Sequence, residues 1–68
     1  MYAYLNEEGN WLVIGYRKSH VGPQLQASFT SDIHKASVIP MLPRELQDLK
    51  LKAVKAREER KVFIVVDA

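Results

Sequence analysis

The sequence contains no cysteine, one tryptophan, three glycines and three prolines among 68 residues. Without cysteine there are no disulfides and no thiolate metal sites, so packing and hydrogen bonds alone must hold the fold together. The longest apolar runs, at residues 11–14 and 62–66, are far shorter than the roughly 20 residues that a membrane-spanning helix needs. Because a signal-peptide pattern is also missing, we expect a cytoplasmic protein without a membrane partner.

The length predicts one small domain covering residues 1–68. A chain of this size removes only about 60% of its unfolded surface from water, so its core is small. Little room remains for an enclosed active site beside that core. The 47% hydrophobic and 26% charged composition is nevertheless that of a globular domain.

The N-terminal residues predict a β-hairpin. Residues 1–5 and 11–18 are rich in aromatic and β-branched side chains, which favour strands. The glycine and asparagine between them tolerate positive φ, so we expect a loop of four or five residues. We expect Leu12 and Ile14 to face the core, with Trp11 at its margin or exposed.

The middle of the chain predicts a third strand followed by a short helix. Residues 24–29 alternate polar and apolar side chains, and the apolar ones are expected to be buried: Leu25, Ala27 and Phe29. Thr30 or Ser31 then precedes residues 32–36, where either hydroxyl could cap a short helix.

The C-terminal residues predict one long helix and a last strand. From Pro43 to about Arg60 no glycine or further proline intervenes, and strong helix formers dominate. A narrow apolar stripe runs along this predicted helix and consists of Leu46, Leu49, Ala53 and Ala56. The apolar residues 61–66 then predict a strand. The expected fold class is therefore α+β, in the order β-β-β-α-α-β, with the long helix packed on one face of a three- or four-stranded antiparallel sheet.

Residue patterns for catalysis are weak in this chain. His20 and His34 fall in different elements, without the further ligands that a metal site needs. Ser19 beside His20 points to the opposite side in an extended segment, and the hairpin carboxylates Glu7 and Glu8 are expected to be solvated. We therefore expect a protein without enzymatic activity, catalytic residues, metal or cofactor.

The uncovered face of the predicted sheet is the main indication of function. One helix covers only one face, and exposed aromatic and aliphatic residues on the other are typical of a partner-binding surface or a homodimer interface. The expected contact residues are Tyr2, Tyr4, Trp11 and Val13, and the expected basic rim of this surface consists of Arg17 and Lys18.

A basic cluster supports an alternative function, the binding of nucleic acid. Six basic and two acidic side chains lie between residues 50 and 61, a formal charge of +4. The basic ones are Lys50, Lys52, Lys55, Arg57, Arg60 and Lys61. On a helix they would scatter around the axis, which favours a solvated surface over a phosphate-binding face. A structural subunit of an oligomer is the second alternative.

Residues 29–36 carry the pattern Phe-Thr-x-Asp-x-x-x-Ala between the aromatic hairpin and the predicted helix. In this arrangement the chain resembles small single-domain proteins encoded by bacteriophages and prophages. The resemblance implies a protein that binds a larger host protein, such as a polymerase, nuclease or defence complex, and modulates or inhibits it in the host cytoplasm. It implies no catalytic residues.

Overall fold

In the computed structural model, which describes residues 1–60, the chain forms a four-stranded antiparallel sheet in the order β3-β2-β1-β4. The strands are β1 (Tyr2–Leu5), β2 (Trp11–Arg17), β3 (Gln24–Thr30) and β4 (Lys52–Lys55). Single turns of 3-10 helix occupy Ile33–Lys35 and Arg44–Leu46. The first three strands lie where the sequence predicted them, but Leu25 is only half-buried, and Ala27 and Phe29 are exposed rather than buried.

The predicted α+β fold class is wrong, because residues 1–60 contain no α-helix. The expected long helix from Pro43 to Arg60 is instead a 3-10 turn, further tight turns and then β4. In β4, Val54 lies opposite Ala3 of β1. Helix propensity is a weak preference, and here the long-range pairing with β1 outweighs it. The predicted strand at residues 61–66 lies outside the described residues.

The predicted short helix at residues 32–36 is also wrong, since only one 3-10 turn forms there. The cap is the Asp32 carboxylate, which accepts a hydrogen bond from the His34 amide at 2.9 Å. The Thr30 hydroxyl instead accepts from the Asp32 amide at 3.1 Å. Ala36 is buried, whereas Ile33 is exposed.

The register of the first hairpin decides which side chains reach the core. Leu5 lies opposite Trp11, so the connecting turn has five residues. Opposite residues in an antiparallel pair share a face, and the face alternates along each strand. Tyr4 therefore shares a face with Leu12, which we call the core face, while Leu5 and Trp11 lie on the outer face.

The core lies on the core face of β1 and β2. Leu12 and Ile14 are only 1% and 4% exposed, which confirms the prediction that they point inward. They form one cluster with Tyr4 and Ile39. Partly buried leucines from β3 and from the long connection before β4 pack against this cluster: Leu25, Leu42, Leu46 and Leu51.

The buried segment 36–39 fills the space beyond the point where β1 and β2 pair. A continued hairpin ladder would place Tyr2 opposite Ile14. Tyr2 instead donates its amide to the Ile39 carbonyl at 2.7 Å and accepts from the Ile39 amide at 3.0 Å. The Ile14 amide donates to the Ser37 hydroxyl at 2.8 Å. This segment therefore supplies the hydrogen bonds that the hairpin partner would otherwise make.

Candidate functional site

The residues expected to form one binding surface are divided between the two faces of the sheet. Trp11 and Val13 are half-buried on the outer face. Tyr2 and Tyr4 lie on the core face, with ring centroids 6.5 Å apart. Tyr4 belongs to the core, and Tyr2 is 38% exposed, so the predicted outward face is wrong for both tyrosines.

The basic rim of the predicted surface, Arg17 and Lys18, is exposed at the far end of β2. A depression of about 360 Å³ lies nearby on the sheet. Its lining mixes small, amide and hydroxyl side chains: Val13, Gly15, Gln26, Ala27 and Ser28. None of these lining residues is aromatic. The depression therefore lacks the large side chains that contribute most of the binding energy at interfaces.

A larger concavity lies between the turn that joins β1 and β2 and the segment 48–51. We call it the turn groove, and its volume is about 460 Å³. Its apolar lining is Phe29, Leu49 and Leu51, of which Phe29 is 40% and Leu49 is 43% exposed. The polar lining consists of Asn6, Glu7, Glu8, Asp48 and Lys50.

The first wall of the turn groove is fixed by hydrogen bonds within the turn. The Asn6 side-chain oxygen accepts from the amides of Glu8 at 3.0 Å and Asn10 at 2.8 Å. The Gly9 amide donates to the Asn6 carbonyl at 3.1 Å, and Gly9 has a φ of 82°, which favours glycine. This network holds the two neighbouring carboxylates, Glu7 and Glu8, on a defined backbone.

The second wall consists of consecutive tight turns. The Leu49 amide donates to the Leu46 carbonyl at 3.1 Å, and the Leu51 amide donates to the Leu49 carbonyl at 3.0 Å. Leu46 and Leu51 pack against the core, so they tie this wall to the sheet. Between Leu46 and Leu51 the chain turns away from the core, so Leu49 is exposed in the groove.

The charge around the turn groove is negative. Its lining contains three carboxylates, from Glu7, Glu8 and Asp48, and one ammonium group, that of Lys50. A concave site with apolar walls and a net negative charge favours positively charged ligands. The groove is therefore suited to a group that combines an apolar part with a positive charge.

Within residues 1–60, no three histidine, aspartate or glutamate side chains come together as metal ligands. His20 and His34 are both exposed. In the same part of the chain, no helix is long and apolar enough to cross a membrane.

The residues of the predicted nucleic-acid site are spread along the C-terminal part of the described chain. Lys50 lines the turn groove, whereas Lys52 and Lys55 lie on the edge strand β4. The two lysines are three residues apart on the strand, and side chains alternate between faces, so these two lie on opposite faces of the sheet. Arg57 is exposed, and a guanidinium nitrogen of Arg60 donates to the His34 carbonyl at 3.2 Å. Lys61 lies outside the described residues.

Sequence reasoning missed the turn groove because it placed Leu49 on the buried stripe of a helix. The signal that could have revealed the groove was Leu51, a large apolar residue that the helical stripe did not include. A large apolar residue outside the stripe indicates that the segment is not one continuous helix. In a segment of consecutive turns, Leu51 can pack against the core while Leu49 is exposed.

No protein-family model matches the chain, and no curated protein or solved structure gives a significant match. The resemblance to phage-encoded proteins stays a prediction.

Proposed function

We propose that the protein is a non-enzymatic protein-binding module whose turn groove receives an extended segment of a larger partner. The observation that carries the proposal is the exposure of Phe29 and Leu49 inside a concave, acid-lined groove. Exposed large apolar side chains that line one concavity are typical of binding sites, whereas singly scattered ones are not.

The charge of the groove selects the chemistry of the partner segment. The segment carries an arginine or lysine next to an apolar residue. The aliphatic stem of the basic side chain lies along Phe29 and Leu49, while its charged end meets the carboxylates of Glu7, Glu8 or Asp48. The apolar neighbour fills the rest of the groove.

The resemblance to phage-encoded proteins supports a host protein as the partner. A domain of 68 residues has enough surface to cover one site on a larger protein. Occupation of that site would modulate or inhibit the partner without any chemical step, which agrees with the weak catalytic patterns in the sequence.

Selection of binders from a random peptide library tests this proposal. We expect enriched peptides to combine a basic and an apolar residue, and we expect their binding to weaken at higher salt. Leu49→Ser and Asp48→Lys should each weaken binding by about tenfold or more, which corresponds to about 1.4 kcal/mol. Both positions are exposed, so these variants should keep the fold.

Matched controls lie outside the groove. Met41→Ser removes another exposed apolar side chain and Glu58→Lys reverses another exposed carboxylate, so both should bind the selected peptides like the wild type. Peptides without a basic residue, or equal losses in the controls and the groove variants, would contradict the proposal.

A second candidate function, nucleic-acid binding, is favoured by one arrangement on β4. Tyr2 lies directly opposite Lys55 on the core face, at the edge of the sheet, and both are exposed. An aromatic ring beside an ammonium group can stack on a base while the charge contacts a phosphate.

Titration with single-stranded DNA and RNA at two salt concentrations separates the two candidates. If the second one holds, binding weakens steeply with salt, and Tyr2→Ala and Lys55→Ala each reduce the affinity. Lys18→Ala, at the other end of the sheet, is the control and should have a smaller effect. Undetectable binding at low salt would eliminate this candidate.

A further inference from the structure

The two edges of the sheet differ in length and charge. β4 has four residues and a lysine at each end, which is a common protection against pairing with another chain. β3 has seven residues and contains neither a charged side chain nor a proline. Every residue of β3 is exposed or half-buried, and within residues 1–60 no strand pairs with its outer side. β3 is thus an unprotected edge.

The sequence of β3 is complementary to itself in an antiparallel arrangement centred on Ala27. In this register Leu25 lies opposite Phe29 of the second copy, and Gln26 lies opposite Ser28. Gln24 and Thr30 form the outer pair. Paired residues share a face, so apolar side chains meet on the core face and polar side chains meet on the outer face.

Neighbouring registers fit less well. A centre at Gln26 places Phe29 opposite Pro23, which has no amide hydrogen to donate. A centre at Ser28 leaves Leu25 without an opposite residue in the strand. The arrangement around Ala27 alone pairs all seven residues of β3.

We infer that β3 of one chain pairs with β3 of a second copy, so that the two sheets join into one continuous eight-stranded sheet. The interface is isologous, with the twofold axis passing at Ala27. Pairing gives the outer backbone groups of β3 hydrogen-bond partners and covers the exposed side chain of Ala27 on the core face. The commonest symmetry of soluble oligomers, a twofold dimer, is the one that this edge supports.

A charge placed at position 27 tests the interface, because that residue faces its own copy. The wild type should have the mass of a dimer by light scattering, and Ala27→Lys should have the mass of a monomer, since two ammonium groups would lie directly opposite. An equimolar mixture of Ala27→Lys and Ala27→Asp should recover a dimer that contains one chain of each. The matched control is Ala53→Lys, an exposed alanine on the same face of the other edge strand, which should stay dimeric.

Cross-linking gives an independent measurement because the chain has no natural cysteine. Ala27→Cys should form a disulfide-linked dimer under mild oxidation, since opposite Cβ atoms in a strand pair lie about 4.5–5.5 Å apart, and a small shift of the strands brings them to the roughly 3.5–4.5 Å that a disulfide spans. Ala53→Cys, the matched control, should cross-link much more slowly.

A monomeric wild type, a dimer that persists in Ala27→Lys, or equal cross-linking of the two cysteine variants would each overturn the inference. A monomeric wild type that still binds an extended peptide along β3 would show that a different partner uses this edge, and would overturn it as well. Peptide binding to the turn groove can be measured on the Ala27→Lys monomer, so failure of the dimer is distinguishable from failure of the proposed function.

Discussion

Ser37 is the one buried polar residue in the described part of the chain, and it links two parts of the fold. Its hydroxyl accepts a hydrogen bond from the Ile14 amide at 2.8 Å, and its own amide donates to the Leu12 carbonyl at 3.0 Å. Its side chain therefore occupies a hydrogen-bonding position that a neighbouring strand would normally fill. An unpaired amide at this depth would lose its bond to water without gaining another.

We predict that Ser37→Ala lowers the free energy of unfolding by about 1–3 kcal/mol, because it leaves the Ile14 amide buried without an acceptor. The measurement is urea unfolding followed by tryptophan fluorescence, since Trp11 is the single tryptophan. Ser31→Ala, which truncates an exposed serine, should change the same free energy by less than about 0.5 kcal/mol. Equal effects of the two substitutions would show that the Ser37 hydroxyl does not stabilise β2.

Tyr4 shows how far the sequence determines the position of a single residue. The aromatic and β-branched residues located β1 and β2 correctly, but the sequence was compatible with a loop of either four or five residues. A four-residue loop places Tyr4 opposite Trp11, whereas the observed five-residue loop places Tyr4 on the side of Leu12. One residue in the loop thus moves this ring from the outer face into the core. Periodicity within a strand contains no information about this choice.

At the scale of elements, the largest difference from the sequence prediction is the replacement of the long helix by turns and β4. Helix formers dominate residues 43–60, yet the predicted stripe contained only two large apolar residues, Leu46 and Leu49. Most helical stability in proteins comes from packing of an apolar face, and this face is narrow. The turns instead bring Leu42 and Leu51 to the core together with Leu46.

Two leucines distinguish the observed turns from a helix. In the structure Leu51 packs against the core and Leu49 is exposed, whereas the helical stripe would bury Leu49 and expose Leu51. We predict that Leu51→Ala costs about 1–3 kcal/mol of stability and Leu49→Ala less than about 0.5 kcal/mol. Thermal and urea unfolding of the two variants under the same conditions measure the difference. The reverse order of the two losses would support the helix.

At the scale of the whole molecule, segments distant in sequence meet around β1. β4 pairs with one side of β1, and the Ala56 amide donates to the Met1 carbonyl at 2.9 Å. The segment 36–39 pairs with Tyr2, and Val38 also pairs with Arg60. None of these contacts follows from local pattern or propensity. For this reason the sequence predicted the local hairpin and the third strand but neither β4 nor its pairing with β1.

This topology also predicts an uneven stability, since the strands differ in burial. β2 lies between β3 and β1 and contains Leu12 and Ile14, whereas all four residues of β4 are exposed at the edge of the sheet. Elements with few buried contacts open locally, while core elements exchange their amide hydrogens mainly by global unfolding.

Native-state hydrogen exchange by NMR should therefore separate the two strands. We expect the hydrogen-bonded amides of β2 to exchange about tenfold or more slowly than those of β4, a difference of about 1.4 kcal/mol or more. Low concentrations of urea should accelerate exchange in β2 strongly and in β4 weakly, because local opening of β4 exposes little new surface. The Ala27→Lys variant is the appropriate sample, since any pairing between copies through β3 would itself slow exchange. If both strands exchange at the same rate and respond equally to urea, then β4 unfolds only with the whole molecule, and its pairing with β1 is as stable as the core.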